Sequence, residues 1–137
     1  MLKKLKMSQD NGGVEGERQL FHGTRGENIS RINAQGFNRS FCRLHGGILG
    51  RGVYFAKDAS YSVRYAGVPG GNRYMYLARV LVGQYCDGDF DLIVPPPKDP
   101  SRPEVLYDSV VDQCESPNIF VVFFDNQCYP EYLITFQ

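Results

Sequence analysis

What this chain lacks excludes several classes of protein. Its 137 residues carry no net charge, because 15 Lys and Arg balance 15 Asp and Glu. Nothing in the charge therefore supports an electrostatic binder of nucleic acid or of a membrane surface. No apolar run approaches the length that spans a bilayer. A hydrophobic fraction of 42% is enough for one compact core and too high for a disordered chain.

The sequence also lacks the cysteine spacing of a zinc site. Neither a C-x-x-C pair nor a close pair of histidines occurs, since His22 and His45 lie far apart, and we expect no metal. The first residues do not have the pattern of a signal peptide, so none is expected. Reduced, mostly buried thiols in a cytoplasmic or nuclear protein are therefore expected rather than disulfides. The four cysteines are Cys42, Cys86, Cys114 and Cys128.

Three common motifs of nucleotide binding and hydrolysis are missing as well. No G-x-G-x-x-G occurs, so the sequence lacks the motif that identifies a Rossmann domain. The glycines of residues 47–52 begin a P-loop spacing, but Val53 stands where lysine is required. A serine hydrolase built on His22 lacks the G-x-S-x-G turn that holds the nucleophile.

Hydrophobic periodicity and turn residues predict an α+β fold with a mainly antiparallel sheet. Thr24 and Glu27 have the spacing of a capping box for a helix that ends at Gly36. Asp58 is placed to cap a second helix through Tyr65. Irregular loops are expected at residues 38–51 and 84–104. Strands are predicted at residues 19–22, 52–56, 73–83, 106–111, 118–124 and 131–136.

Charge is unevenly distributed along the chain. No acidic residue lies between Glu27 and Asp58. The stretch from Asp87 to Glu115, in contrast, contains eight acidic residues and only two basic ones. Two interpretations remain open: two solvated faces, or a first segment that holds an anionic ligand and a second that forms a surface loop region. The basic residues of the first segment are Arg31, Arg39, Arg43, Arg51 and Lys57.

Several separated motifs, in order, carry a resemblance to a known family. They are His-Gly-Thr at 22–24, Gly-Phe-Asn-Arg-Ser at 36–40, Gly-Val-Tyr-Phe-Ala at 52–56, Ser-Tyr-Ser at 60–62 with Tyr65, Tyr-Asp-Ser-Val at 107–110 and Tyr-Pro-Glu-Tyr-Leu-Ile-Thr-Phe at 129–136. Together they resemble the poly(ADP-ribose) polymerase superfamily, the diphtheria-toxin-like ADP-ribosyltransferases. The sequence looks most similar to the macrodomain-linked members that transfer single ADP-ribose units. The resemblance implies the ADP-ribosyltransferase fold, in which the mainly antiparallel β core is split.

The resemblance implies that NAD is the co-substrate and assigns its contacts. His22 would bond the adenosine-side ribose, and the backbone of Gly23 would pair with the nicotinamide carboxamide, where a side chain would hold the ring away. The Ser62 hydroxyl would bond the same carboxamide, while the Tyr65 ring stacks on the nicotinamide and Tyr54 flanks it. The implied NAD-binding residues are His22, Gly23, Thr24, Arg39, Tyr54, Phe55, Ala56, Ser62 and Tyr65.

Simpler interpretations of these residues stay open. A half-buried strand histidine with a backbone partner, or a tyrosine packed in the core with a polar tip, needs no ligand. Residues 38–51 correspond to the family's donor loop, which covers NAD. Arg39, Arg43 or Arg51 would approach the pyrophosphate there, or remain surface arginines.

The informative departure from the family pattern is Ile119. The resemblance implies a catalytic triad of His22, Tyr54 and the residue at 119, where polymerising members carry a glutamate. That glutamate activates an incoming ribose hydroxyl, which isoleucine cannot do. A single transfer remains feasible, because nicotinamide leaves as a neutral molecule and needs no general acid. An acceptor carboxylate can itself supply the charge that stabilises the cationic transition state.

The resulting expectation is a mono-ADP-ribosyltransferase that modifies a protein side chain, Glu or Asp in the first place. This chain itself is among the candidate acceptors, and nucleic-acid ends are not excluded. The alternative is a catalytically inactive module that binds NAD or ADP-ribose. Family domains usually begin with a further strand and long helix, so residues 1–18 are expected to be an extension or remnant of that part. Residues 19–137 would be the catalytic domain.

Overall fold

The structure is a computed structural model that describes residues 16–38, 48–67 and 71–137. Seven strands and two short α-helices follow one another, with single turns of 3-10 helix at Gly26–Asn28, Val63–Tyr65 and Asp125–Gln127. The helices are α1 (Ile29–Gln35) and α2 (Ala59–Ser62). The strands are β1 (Glu17–Thr24), β2 (Val53–Ala56), β3 (Arg73–Leu81), β4 (Tyr85–Asp87), β5 (Ser109–Val111), β6 (Ile119–Val122) and β7 (Cys128–Phe136).

The strands form one sheet in the order β4-β5-β6-β2-β1-β3-β7. Every neighbouring pair is antiparallel except β4 and β5, which run parallel, so the α+β class with a mainly antiparallel sheet is confirmed. β1 pairs along its whole length with β3, but it meets β2 only where Phe21 faces Ala56. The sheet is therefore split between these two strands, with a half of four strands on one side and three on the other.

Two layers of buried side chains cover the faces of the sheet. The larger cluster includes Leu20, Phe37, Phe55, Tyr76 and Phe120, and α1 adds Ile32 to it. The second cluster lies on the other face of the sheet. Successive residues of a strand point to opposite faces, and Val110 and Val121 of this cluster are next in sequence to Val111 and Phe120 of the larger one. Burial of one such large side chain stabilises the fold by roughly 1.5–3 kcal/mol.

The start of α1 differs from the capping box that the sequence suggested. Thr24 is the last residue of β1, and a 3-10 turn at Gly26–Asn28 precedes the helix, whose N-cap Asn28 makes no side-chain cap bond. Asn28 instead donates from its amide to the Thr24 hydroxyl at 3.3 Å. The capping-box prediction is wrong because Thr24 continues pairing with Tyr74 of β3. The predicted stop is correct, since Gly36 follows α1 with φ of 77°.

Other boundaries shift for reasons of pairing. β4 lies inside the predicted loop 84–104, where it pairs with β5. The predicted strand 106–111 is shortened, because Leu106 forms an isolated bridge with Pro97 before β5 begins. Asp58 occupies the N-cap of α2 as expected, but only its backbone carbonyl bonds, accepting from the Tyr61 amide.

The described thiols are less buried than expected. Cys86 is half-buried and Cys114 is exposed, and neither forms a disulfide. Burial, with the nearby Cys114 and Asp87, raises the pKa of Cys86 to about 11. Cys42 lies outside the described residues. None of the helices in the described part of the chain is long and apolar enough to cross a membrane.

Candidate active site

A cavity of about 430 Å³ opens where β1 and β2 separate. β1 and β2 hold one side of it, the helical segment 59–65 holds another, and the start of β6 lies at its end. The split in the sheet thus creates the space between the strands. The lining residues are His22, Gly23, Thr24, Arg25, Asn28, Ile48, Leu49, Tyr54, Phe55, Ala56, Tyr61, Ser62, Tyr65, Asp112 and Ile119.

His22 bridges the two strands beside the split. Its Nδ1 lies 2.8 Å from the carbonyl oxygen of Tyr54. Because a carbonyl only accepts, Nδ1 carries the proton, and in the neutral ring Nε2 is the acceptor nitrogen. The ring also packs edge-on against Phe37 at 5.0 Å and in a tilted arrangement against Phe55 at 5.4 Å between centroids. One hydrogen bond and two ring contacts therefore fix both the tautomer and the orientation of this imidazole.

Gly23 brings the helical segment close to β1. A Cβ at this position would overlap the carbonyl oxygen of Ser62 and would lie 3.3 Å from the amide nitrogen of Ala66. Only glycine permits this approach, which holds buried Ser62 against the strand. The sequence argument required glycine here for contact with a ligand, and packing against Ser62 adds a second requirement.

Tyr54 ties the segment before β2 to the cavity wall. Its hydroxyl donates to the carbonyl of Gly50 at 2.8 Å and accepts from the amide of Leu49 at 3.0 Å. Gly50 adopts φ of 122°, which favours glycine, and Leu49 lines the cavity. The tyrosine thus anchors the end of the segment that the sequence assigned to the donor loop.

Two tyrosines form an aromatic wall on the helical segment. The rings of Tyr61 and Tyr65 lie 5.7 Å apart, and their hydroxyls are 3.3 Å apart. Burial raises the pKa of Tyr61 to about 12, and the hydrogen bond with Tyr65 adds to this shift. Tyr61 therefore stays protonated throughout the physiological range, and Tyr65 is exposed enough for a planar ligand to reach it.

Ile119 lines the cavity at the start of β6. Its side chain is 7% exposed, and it packs with Ala56 and Val121. Asp112 lies next to it, because one carboxylate oxygen accepts from the backbone amides of Asn118 at 3.0 Å and Ile119 at 3.2 Å. The wall at this end thus combines a buried aliphatic side chain with a carboxylate held in place by backbone donors.

The structure brings the sequence-predicted residues together around this cavity, with one exception. Arg39 lies outside the described residues, as does Arg43, and Arg51 is exposed and does not line the cavity. The residues His22, Gly23, Thr24, Tyr54, Phe55, Ala56, Ser62, Tyr65 and Ile119 all line it. Their individual roles toward a ligand remain predictions.

Sequence reasoning gave no role to six lining residues. Arg25 follows the His-Gly-Thr motif directly, so its position next to the site carried a signal. Tyr61 precedes Tyr65 by one helical turn, a spacing that places both on one face. Asp112 belongs to no motif, and only the fold reveals it. The six are Arg25, Asn28, Ile48, Leu49, Tyr61 and Asp112.

The chemistry of the cavity suits a nicotinamide nucleotide. The two neighbouring tyrosine rings can attract a flat cationic ring, and the fixed imidazole offers an acceptor to a ribose hydroxyl. The buried Ser62 hydroxyl supplies a polar atom to a carboxamide. Among the described residues, no group of three or more His, Cys, Asp or Glu side chains has the arrangement of a metal site.

Comparison with known proteins agrees with the fold and the cavity. Residues 3–137 match the sequence model of the poly(ADP-ribose) polymerase catalytic domain. The chain therefore belongs to this family. It is similar to the protein mono-ADP-ribosyltransferase PARP14 of Homo sapiens, with 45% identity over 98% of this chain and 8% of that protein. It is similar to PARP12 of Mus musculus, with 44% identity over 98% of this chain and 19% of that protein.

Another relative is shorter. The protein mono-ADP-ribosyltransferase PARP11 of Homo sapiens is 40% identical over 98% of this chain and 46% of its own length. This chain thus spans less than half the length of the curated relatives described here. What these proteins share with it is the part that contains the cavity.

Proposed function

We propose that this chain is an NAD-dependent protein mono-ADP-ribosyltransferase. The observation that carries the proposal is the convergence of His22, Tyr54, Ser62 and Tyr65 on one cavity with Ile119 at its end. The relatives' names, all mono-ADP-ribosyltransferases, support it. NAD would supply an ADP-ribosyl group on a cationic leaving group.

Each residue has a defined task in binding. His22 accepts a hydrogen bond from a ribose hydroxyl at Nε2, because Nδ1 is bonded to Tyr54. Tyr65 and Tyr61 stack on the nicotinamide, a contact worth roughly 0.5–1.5 kcal/mol beyond the buried area. Ser62 and the backbone of Gly23 hold the carboxamide. Tyr54 keeps Leu49 and Gly50 in place beside the bound nucleotide.

The transfer balances without an acid or base from the protein. The bond from the ribose to the nicotinamide nitrogen breaks, and its electron pair neutralises the pyridinium. An acceptor carboxylate donates the electron pair of the new carbon–oxygen bond, which gives a neutral ester. The residues of the chain therefore position the two reactants rather than move a proton.

The product should contain single ADP-ribose units. Chain growth needs a base for a ribose hydroxyl, and the buried Ile119 provides none. Asp112 is the nearby carboxylate, but one of its oxygens already accepts two backbone amides. Intact-mass analysis of an acceptor after incubation with NAD should show discrete additions, and a ladder of growing chains at one site would contradict the argument.

Incubation with labelled NAD tests the proposal against a binding module. Label that moves covalently onto protein with release of nicotinamide supports the enzyme. Saturable binding of NAD without transfer would support the module, which uses the same cavity. Mass-spectrometric mapping of the modified side chains would then identify the acceptor class.

A further inference from the structure

An exposed apolar surface adjoins the cavity and extends beyond the residues that line it. The segment 48–51 packs on the segment 88–92, where the amide of Arg51 donates to the carbonyl of Leu92 at 2.9 Å. Gly88 approaches Leu49 so closely that a Cβ there would lie 2.8 Å from the Leu49 carbonyl oxygen. These two segments form one continuous surface, and its Ile48 and Leu49 belong to the cavity wall.

Large apolar side chains of these two segments, and of Ile93 directly after them, are exposed. Ile48 is 82% exposed, Phe90 is 65% exposed and Ile93 is 58% exposed. Phe90 and Asp91 are the central residues of a tight turn, which closes by a bond from the Leu92 amide to the Asp89 carbonyl at 3.1 Å. Clusters of exposed apolar residues on one surface are typical of protein interaction sites.

The charged residues beside Phe90 are acidic, and the exposed Arg51 is the one charged residue of the segment 48–51. Asp89 and Asp91 flank Phe90, both are exposed, and Asp87 precedes them. The stretch from Asp87 to Glu115 contains eight acidic and two basic residues in a chain of zero net charge. Asp112 of the same stretch lines the cavity beside Ile119. An acidic border around apolar side chains complements a basic segment with an apolar anchor.

We infer that the surface formed by Ile48, Phe90, Ile93, Asp89 and Asp91 binds the acceptor protein through a basic segment that carries an apolar residue. This inference rests on the proposed transferase function, and it deepens that function by naming the acceptor chemistry. The apolar residue would contact Phe90 and Ile93. Lysines or arginines beside it would face Asp89 and Asp91, and the continuity through Ile48 would bring the acceptor carboxylate to the cavity.

The test uses two synthetic peptides of twelve residues. Each contains one glutamate acceptor and one leucine; the first carries four lysines, and the second has four glutamines in their place. The wild-type chain should modify the lysine peptide with at least tenfold higher kcat/KM, mainly through KM, and the preference should shrink as salt rises. Equal kcat/KM for both peptides would overturn the inference.

Variants locate the effect on this surface. Asp89→Lys with Asp91→Lys should lower kcat/KM for the lysine peptide at least tenfold, and Phe90→Ala should lower it for both peptides. Matched controls are Glu104→Lys, an exposed acid in a turn on the same loop, and Tyr129→Ala, an exposed aromatic on the opposite edge strand. Both controls should keep the wild-type kcat/KM, and control losses equal to those of the surface variants would overturn the inference.

Two further measurements separate this inference from the proposed function. NAD affinity, measured by calorimetry, should be unchanged in the surface variants, because none of the altered residues lines the cavity. If the chain transfers no label at all, the proposed function fails, and fluorescence anisotropy of the labelled peptides then tests the surface directly. Weaker binding of the lysine peptide to the double variant than to the wild-type chain would still support the inferred surface. Identical binding to both proteins would overturn the inference.

Discussion

At the scale of single residues, His22 has a structural task in the fold and a proposed binding task in the same ring. Its Nδ1 bond to Tyr54 and its contacts with Phe37 and Phe55 stabilise the junction of β1 and β2. Its Nε2 is assigned to the ligand. These tasks belong to different nitrogen atoms, so substitutions can separate them.

His22→Asn is expected to separate the two tasks. The asparagine amide can still donate to the Tyr54 carbonyl, but nothing replaces Nε2. NAD affinity should fall about tenfold or more, which corresponds to about 1.4 kcal/mol. Calorimetric titration with NAD and thermal unfolding should be measured together. His22→Ala should lose both affinity and stability, whereas undiminished NAD labelling in both variants would contradict the site assignment.

Tyr61 links the site to pH through its raised pKa. Burial raises this pKa from 10.0 to about 12 in the folded chain. Below pH 10 Tyr61 is protonated in both the folded and the unfolded chain, so its contribution to the stability of the fold is fully present. Between about pH 10 and 12 the unfolded chain loses the proton and the folded chain keeps it, so stability falls as pH rises.

Tyr61→Phe should remove this part of the alkaline instability. Urea unfolding at pH 8 and pH 11 should show a smaller loss of stability for the variant than for the wild-type chain. Groups that titrate away from Tyr61 affect both proteins alike, so the difference reports on Tyr61 together with its hydrogen-bonded partner Tyr65. Equal losses in the two proteins would show that the tyrosine is not held in its protonated form by the fold.

At the scale of secondary-structure elements, the contact between β1 and the helical segment decides the shape of the cavity. Gly23→Ala should push Ser62 away from β1, since the new Cβ would overlap the Ser62 carbonyl. A loss of roughly 1–3 kcal/mol in the free energy of unfolding is expected for such overpacking. NAD affinity should fall with it, because Ser62 and Tyr65 move together.

Gly71→Ala is the matched control for this prediction. A Cβ on Gly71 meets no atom within 4 Å, so the substitution should change neither stability nor affinity. Denaturant unfolding measures the stability of the Gly23→Ala and Gly71→Ala variants, and titration with NAD measures their affinity. A Gly23→Ala chain as stable as the wild type would mean that the segment adapts without strain.

Sequence reasoning predicted the long strands and the motif residues better than the connections. The apolar runs at β3 and β6 indicated their strands directly, and Gly36 marked the end of α1. β4 was missed because its three residues have no periodicity of their own and depend on pairing with β5. The capping box at Thr24 failed because long-range pairing with Tyr74 outweighs a local helix signal.

The same distinction applies to the site. His22, Tyr54 and Tyr65 belong to short motifs that resemble those of a known family, so the sequence alone predicted that they form part of the site. Asp112 reaches the cavity only through the turn that its carboxylate makes with the amides of Asn118 and Ile119. The split between β1 and β2, which creates the cavity, depends on the register of both strands and has no local sequence signal.

At the scale of the whole molecule, the two edges of the sheet differ in how they meet solvent. β4 is three residues long, and short strands limit edge pairing. β7 is nine residues long and occupies the other edge. Four of its large side chains are exposed, namely Tyr129, Tyr132, Leu133 and Ile134. Within the described residues, β7 is the longer of the two edge strands, and Pro130 and a register shift lie near its start.

Such an edge favours association with another strand. An exposed, long and apolar strand presents backbone donors and acceptors together with apolar surface, and total domain stability is only about 5–15 kcal/mol. We therefore expect the isolated chain to be marginally stable and to associate through β7, either with a second copy or with another segment that completes the sheet. Its unfolding midpoint should then rise with protein concentration.

Tyr132→Lys with Ile134→Lys should weaken this association, because two charges would have to be buried in the contact. Analytical ultracentrifugation should show a larger monomer fraction for the double variant, and its unfolding midpoint should lose the concentration dependence. Phe90→Lys is the control, since it places a charge on an equally exposed side chain beyond the opposite edge. A wild-type chain that stays monomeric and unfolds cooperatively with a high midpoint would contradict the prediction, and the exposed side chains of β7 would then be ordinary surface residues.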